Sequence, residues 1–218
     1  GSLRQAILNA NANPGADTIP FNIPGTGPFT ISPTSPLPTM TDPVTIDGTT
    51  QPGFAGTPII ELNGAIAPAG ANGLEITAGN STVWGLVING FRWSGSSIIN
   101  GNGILLQTGG GNRIEGNFIG TDVTGTLALG NFEGILIEDG SSNNIIGGTA
   151  PGARNVISGN LGSAIDFKHG SASTGNLVQG NFIGTDVTGT QSLGNDGGVS
   201  IGRGNDNTTI GGTTAGAG

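Results

Sequence analysis

The chain has 218 residues, of which 44 are Gly and 12 are Pro; only 9% are charged, and the formal net charge is −8. This composition excludes a disordered chain, which would have fewer large aliphatic residues or a much higher charge density, and the glycines lack the period of three that collagen requires. The six Lys and Arg residues are scattered, so we expect neither nucleic acid nor an anionic membrane surface as a partner, and no apolar run reaches the ~20 residues of a membrane span.

The first residues predict a helix. SLRQAILNANAN (2–13) places Ser2 at the N-cap position with Gln5 three residues later, which is the pattern of a capping box. Apolar residues recur there at helical spacing: Leu3, Ala6, Ile7 and Ala10. Such a helix would cover the unpaired edge of a first β-coil. Residues 1–43, which include a Pro-rich stretch, are therefore predicted to form a capping helix and an irregular first coil.

Residues 44–218 repeat with a short period. Five segments share the order small, apolar, variable, apolar, variable, variable, Gly or a close variant: GLEITAG from Gly73, GILLQTG from Gly103, GILIEDG from Gly134, AIDFKHG from Ala164 and GVSIGRG from Gly198. This alternation predicts strands with one buried face. The predicted buried pairs are Leu74/Ile76, Ile104/Leu106, Ile135/Ile137, Ile165/Phe167 and Val199/Ile201. A second strand is predicted after each segment, as in NSTVWGLVI, and a third strand in places.

Units of about 30 residues cannot bury an apolar face alone, but they form a continuous interior when they stack. The predicted fold is therefore all-β, a parallel β-helix solenoid of about 30 residues per coil with a short N-terminal helix. A β-propeller is the alternative, but its blades need ~40 to 50 residues. TIGGTTAGAG (209–218) parallels IIGGTAPGAR (145–154) and stops inside a coil. We therefore expect the coils to continue beyond Gly218, or another chain to cover this open coil.

The stretch GNFIGTDVTGT occurs at 116–126 and again at 180–190. The copies are two coils apart, so we expect their excursions on one side of the solenoid, roughly 10 Å apart. Asp122 and Asp186 are candidate Ca²⁺ ligands, although a calcium site needs about six or more oxygens; no other cofactor is expected. The alternative is an Asx-type turn before a glycine of positive φ. The asparagines of the GN corners, Asn117, Asn160 and Asn181, are predicted to be hydrogen-bonded structural positions.

Stacking the five segments gathers ionisable side chains into one outward patch. Its members are Glu138, Asp139, Asp166, Lys168, His169 and Arg203. As catalytic candidates, Asp166 and Asp139 would be acid/base or calcium-binding carboxylates, and Lys168 or Arg203 would accept a proton or hold substrate. In the structural alternative, Glu138 and Lys168 form a cross-strand pair worth roughly 0.2 to 1 kcal/mol, and His169 has no chemical role.

The aromatic segment WGLVINGFRW (84–93) supplies a candidate carbohydrate-binding patch. Aromatic rings present flat apolar faces on which sugars stack. Trp84 is expected to pack in the core or at its edge. Arg92 and Trp93, at the following turn, are the pair expected to be exposed and to bind carbohydrate.

Several of these motifs together resemble a known family. SLRQAILNANANPGADTIPFNI, VTIDGTTQPG, the GNFIGTD coils and NVISGN are similar to the right-handed parallel β-helix repeat proteins of bacterial surfaces and secretomes, in the pectin-lyase-like superfamily. Many of these open with a Cys-Ser-Leu-Arg-Glu-Ala motif; here Gly1 stands at its Cys and Gln5 at its Glu. The resemblance covers nearly the whole chain and implies a right-handed coil. It leaves function open, because the superfamily contains polysaccharide lyases, hydrolases and epimerases as well as non-enzymatic adhesins.

The leading interpretation is a non-catalytic extracellular or cell-surface scaffold, adhesin-like, which assembles end to end through the open C-terminal coil. The alternative is a carbohydrate-active enzyme, of the polysaccharide lyase or glycoside hydrolase type, or a carbohydrate-binding module; its partner would be a polysaccharide or a cell-surface glycan. The chain has no Cys and one His, which excludes disulfides and a zinc site built from these residues. A Cys-free, Lys-poor chain rich in Asn, Thr and Gly favours a secreted or surface protein of a bacterium.

Overall fold

The computed structural model describes residues 1–95, 101–150 and 152–218, and three parallel sheets wrap a common core. Helix α1 is Leu3–Ala12, and a 3₁₀ turn is Gly48–Thr50. The first sheet holds β1 (Asp17–Pro20), β3 (Val44–Asp47), β6 (Thr82–Trp84), β9 (Arg113–Glu115), β12 (Ile145–Gly147), β15 (Leu177–Gln179) and β18 (Thr209–Ile210). The second holds β2 (Phe29–Ile31), β4 (Ile60–Asn63), β7 (Leu86–Asn89), β10 (Phe118–Ile119), β13 (Val156–Ile157) and β16 (Phe182–Ile183). The third holds β5 (Leu74–Ile76), β8 (Ile104–Gln107), β11 (Ile135–Glu138), β14 (Ser163–Phe167) and β17 (Gly197–Ile201).

The prediction of an all-β parallel solenoid is confirmed. The chain makes about six turns of about 31 residues each, and every strand pairs in parallel with the strand one turn away. The aligned apolar column of the third sheet runs through Leu74, Ile104, Ile135, Ile165 and Val199, which is the predicted register. Parallel strands buried inside a stack keep one side chain column facing the core, so the sequence period fixes the register.

Helix α1 begins where the sequence predicts. The Oγ of Ser2 accepts a hydrogen bond from the main-chain N–H of Gln5 at 3.2 Å, so Ser2 is the N-cap. The Gln5 side chain donates to Asn9 at 2.9 Å, not to the N-cap main chain, so half of the predicted capping box forms. Leu3, Ile7 and Ala10 are buried in the core, which closes the first end of the solenoid.

Two details of the strand prediction are wrong. The second segment of the unit, NSTVWGLVI, is two strands, β6 and β7, because Gly85 takes a φ of 73° and turns the chain between two sheets. The predicted burial of the Val199/Ile201 pair also fails, since Val199 is half-buried and Ile201 is 46% exposed. No described strand lies beyond β17 in the third sheet, so nothing covers these side chains.

Asparagines link successive turns at the corners between sheets, as predicted for the GN corners; all are buried except Asn181 and Asn195, which are half-buried. Three columns contain three asparagines each: Asn112, Asn144 and Asn176; Asn117, Asn155 and Asn181; Asn131, Asn160 and Asn195. In each link the Oδ1 of one asparagine accepts from both the main-chain N–H and the Nδ2 of the asparagine one turn earlier. Such amide ladders satisfy polar groups where the chain bends away from sheet pairing.

Candidate functional site

The two copies of the repeated stretch form hairpin loops on the outer face of the second sheet. Isolated antiparallel bridges close them, between Thr121 and Ala128 and between Thr185 and Ser192. Each loop folds a valine back over the aromatic column of the sheet. The resulting apolar cluster outside the main core contains Val87, Phe118, Val123, Val156, Phe182 and Val187.

The two loops contact each other directly, so the expected 10 Å separation is wrong. The N–H of Val187 donates to the main-chain oxygen of Gly125 at 2.9 Å. Only residues 158–162 connect β13 to β14 in the turn between them, so no intervening loop fills the space. Gly125 has a φ of 68°, and a Cβ there would lie 2.8 Å from Cβ of Val187 and 2.9 Å from the Phe118 ring. The positive φ and the lack of space for a Cβ both require glycine at position 125.

Asp122 and Asp186 organise these loops. Asp186 forms the predicted Asx-type turn, since its Oδ1 accepts from the main-chain N–H of Thr188, two residues on, at 3.2 Å. The Oδ1 of Asp186 accepts from the hydroxyl of Thr188 at 2.7 Å and from the main-chain N–H of Gln191 at 3.2 Å. The hydrogen bond from Thr188 is the main cause that lowers the pKa of Asp186. Burial opposes ionisation of Asp122, but hydrogen bonds from Thr124 and the following N–H groups lower its pKa. Within 1–95, 101–150 and 152–218, no three acidic or His side chains are grouped to hold a metal ion.

The outward ionisable patch contains the predicted cross-strand pair. Lys168 forms an ion pair with Glu138, whose other oxygen accepts from Nε2 of Gln107 at 2.7 Å. Gln107 also donates to Asp139 at 3.4 Å. Glu138 is buried although Lys168 is exposed, so the carboxylate is held by two neighbouring turns.

Three other predicted members of the patch, Asp166, His169 and Arg203, do not pair with one another. Asp166 is half-buried on the outer face of β14, aligned with Leu136 and Ser200. His169 and Arg203 are exposed at the following corner, where the main-chain oxygen of Arg203 accepts from the N–H of Gly170. Among the described residues, Asp166, His169 and Arg203 form no ion pair.

A groove of about 560 Å³ runs along the outer face of the third sheet. Leu105 and Leu136 line its floor, residues 68–72 line one wall, and the Glu138–Lys168 pair lies in it. Asn102 also lines it, and only 2% of Asn102 is exposed. Its Nδ2 donates to Asn72 at 3.1 Å, and its Oδ1 has no hydrogen-bond partner among the described residues. The sequence did not indicate this groove, because its wall, residues 68–72, lies outside the repeat.

Glu133 is a carboxyl group that the sequence reasoning missed. Burial raises its pKa to about 7, against a hydrogen bond from the N–H of Ser163, and the negative charges of Asp166 and Asp196 raise it further. Its Oε2 is buried without a hydrogen-bond partner among the described residues. Gly162 makes room for it, since a Cβ there would lie 2.8 Å from Oε1 of Glu133. A carboxyl group that holds a proton near neutral pH, beside ionised carboxylates, is what a general acid requires.

Arg92 and Trp93, the pair predicted to be exposed, lie close to the segment that contains Glu133. Trp93 is 49% exposed and stacks on Phe132, with ring centroids 5.8 Å apart, and Arg92 is exposed beside it. Trp84 is half-buried on the first sheet, as expected. Since Phe132 directly precedes Glu133, the aromatic stack and the missed carboxyl group come from one segment. No signal in the sequence distinguished Glu133, because its column is otherwise uncharged: Asn102, Ser163 and Gly197.

No helix in the described part of the chain combines the length and the apolar character needed to cross a membrane. Comparison with protein-family models, with curated proteins and with solved structures finds no match to the chain. Of the family resemblance, the parallel solenoid is established, and membership of the superfamily stays a prediction.

Proposed function

We propose that the chain is a non-catalytic extracellular or cell-surface scaffold of the adhesin type, a rod that spaces or presents other surfaces. The observation that carries this proposal is the use of buried side-chain amides to link turn to turn in three columns. Bonds of this kind stiffen the turns that they link.

The partners of the predicted catalytic and metal-binding groups also support a scaffold. Of the catalytic candidates, Lys168 is paired with Glu138. The Oδ1 atoms of the metal-binding candidates Asp122 and Asp186 accept hydroxyl and N–H donors of their own loops. A carboxylate that is saturated by structural donors is a poor acid, base or cation ligand. The bacterial surface as location, and a surface glycan or another cell as the bound partner, belong to this proposal.

A turnover screen tests the non-catalytic part. The purified chain is incubated with acidic and neutral polysaccharides, with and without Ca²⁺, and new reducing ends and unsaturated products are measured. We expect no turnover. Turnover that persists in the exposed control Asp206→Asn and disappears in Glu133→Gln would overturn the proposal and assign the acid to Glu133. Turnover lost in Asp166→Asn alone would overturn it and assign Asp166 instead.

End-to-end self-association through the last turn is part of the scaffold proposal. Ile201 and Ile210 are exposed there, and among the described strands β17 pairs with β14 on one edge only. Exposed apolar side chains at an unpaired strand edge favour strand addition. Sedimentation over a range of protein concentrations is expected to show a mass that rises with concentration, and Ile201→Lys should abolish this rise. A monomer at every concentration would contradict end-to-end self-association.

A second candidate, carbohydrate binding, is favoured by one observation. Asn102 lines the groove along the third sheet, and its buried amide oxygen has no partner in the described parts of the chain. Such an atom is costly unless a ligand hydroxyl or water satisfies it. A glycan array probed with wild type, with Ala69→Trp at the groove wall and with the remote exposed control Ala16→Trp tests it. Binding that Ala69→Trp alone removes would support binding in the groove. Equal binding by all three would exclude the groove as the site, and binding by none would exclude the module.

A further inference from the structure

A second cavity, distinct from the groove, opens on the outer face of the second sheet. Its volume is about 370 Å³, which lies within the range of roughly 300 to 1,000 Å³ that is usual for small-molecule pockets. Aromatic side chains from four turns line it, together with one cationic side chain: Phe54, Trp84, Phe118, Phe182 and Arg154. We call this cavity the aromatic pocket.

Arg154 is held in one orientation at this pocket. Its guanidinium carbon lies 4.0 Å from the ring centroid of Phe182, and its Nε donates to the main-chain oxygen of Gly180 at 2.9 Å. No described residue accepts a hydrogen bond from its two terminal nitrogens, and the two ion pairs of the described chain use Arg113 and Lys168 instead. An oriented guanidinium with two unused nitrogens is suited to bidentate binding of a carboxylate.

We propose that the aromatic pocket binds a small aromatic carboxylate, whose ring lies among the aromatic side chains and whose carboxylate pairs with Arg154. A sugar would need hydrogen-bond partners for several hydroxyl groups, but among the described residues that line the pocket only Thr57 has a side-chain hydroxyl. The positive charge of Arg154 selects an anion. This binding site is separate from the scaffold role and does not depend on it.

The fold explains why such a pocket forms here. Phe118, Val156 and Phe182 occupy one column of the second sheet, in register on consecutive strands. The loop that carries Val187 forms one side, and the exposed loop with Phe54 and Thr57 forms another. A ligand in this position contacts several turns at once, and binding to the folded state alone raises the melting temperature of a protein.

Binding of trans-cinnamate, measured by titration calorimetry and by Trp84 fluorescence in a Trp93→Phe background, tests the proposal. Cinnamyl alcohol, which has the same ring without the charge, is the matched probe. We expect cinnamate to bind and to raise the melting temperature, and the alcohol to bind at least about tenfold more weakly because it cannot form the bidentate pair.

Variants separate the two parts of the pocket. Arg154→Gln should weaken cinnamate binding about tenfold or more and leave the weak binding of the alcohol unchanged, whereas Thr57→Trp, at an exposed wall position, should block both probes. Arg113→Gln removes the same charge outside the pocket and should bind as wild type does. No saturable binding of cinnamate, equal affinity for the two probes, or binding unaffected by Arg154→Gln and Thr57→Trp would each overturn the proposal, provided that circular dichroism shows folded variants.

Discussion

The side-chain oxygen of Asn181 accepts two hydrogen bonds from Asn155, from its main-chain N–H at 3.2 Å and from its Nδ2 at 2.9 Å. Asn155 accepts the same two bonds from Asn117, at 2.9 and 3.1 Å. The side-chain oxygen of Asn155 therefore accepts from two donors of the turn before it, while its own N–H and Nδ2 donate to the asparagine of the turn after it. Because all three positions lie at a buried or half-buried corner, each link holds two turns at a point where sheet pairing is interrupted.

Replacing the middle of this column should be costly. Asn155→Ala removes the acceptor of the Asn117 main-chain N–H and leaves Nδ2 of Asn117 with its bond to the main-chain oxygen of Val83 alone. We therefore expect the free energy of unfolding to fall by about 2–4 kcal/mol. Urea titration monitored by circular dichroism measures the change. Asn22→Ala, at an exposed asparagine, is the control and should change stability by less than about 0.5 kcal/mol; an equal effect of the two substitutions would contradict a stabilising role for the column.

The loop contact predicts different costs for two glycines of the same conformation. Gly125 and Gly184 have similar φ values, 68° and 75°, but a Cβ at Gly184 would meet no atom closer than 3.9 Å. Gly184→Ala should therefore cost about 1 kcal/mol of backbone strain, and Gly125→Ala should cost about 1–3 kcal/mol more because it also separates the stacked loops. Thermal denaturation compares them, and equal losses would argue against the contact between the loops.

Glu133 makes stability depend on pH. Its pKa is about 7 in the folded chain against 4.5 for an ordinary glutamate, so the folded state binds the extra proton between these values. The stabilising contribution is full below pH 4.5 and is lost as the pH rises through 7. Glu133→Gln should stabilise the chain above pH 7 by on the order of 1–2 kcal/mol, discounted for partial exposure.

Denaturant titrations of wild type and Glu133→Gln at several pH values measure this difference. The variant should gain least in acid and most at alkaline pH. Glu115→Gln, which removes a carboxylate from the ion pair with Arg113, serves as the control and should not gain stability as the pH rises. A Glu133→Gln variant whose advantage stays constant over this range would show that Glu133 titrates normally.

The ion pair between Glu138 and Lys168 should contribute little on its own. Lys168 is exposed, so a double-mutant cycle with Lys168→Ala and Glu138→Gln should give a coupling free energy of roughly 0.2 to 1 kcal/mol. A coupling several times larger would indicate a desolvated pair and would strengthen the case for chemistry at this end of the groove.

The solenoid could be predicted because apolar residues recur in the sequence with the period of one turn. Stacked turns need one apolar column per sheet, and Leu74, Ile104 and Ile135 recur at the spacing that the main-chain register demands. The corner asparagines follow the same logic. Ile201 was predicted wrongly because its burial depends on whether a further strand lies over β17, which no residue of its own segment encodes.

The candidate sites were predicted less well, because they depend on contacts between turns that share no motif. Burial raises the pKa of Glu133, and the charges of Asp166 and Asp196, which come from two other turns, raise it further. Arg154 and Phe182 lie in different turns too, and their contact follows from the register of the second sheet. The five repeated segments are all strands of the third sheet, so their alignment gives no side-chain columns on the outer faces of the other two sheets.

Amide hydrogen exchange at Asn155 tests most directly whether corner amides hold successive turns together. Asn181→Ala removes the one acceptor of this N–H, whereas the neighbouring N–H of Val156 keeps its bond to the main-chain oxygen of Asn117. We expect exchange at Asn155 to become about 10- to 100-fold faster than in wild type, relative to any change at Val156. Unchanged protection at Asn155 in the folded variant would contradict the column as the link between turns.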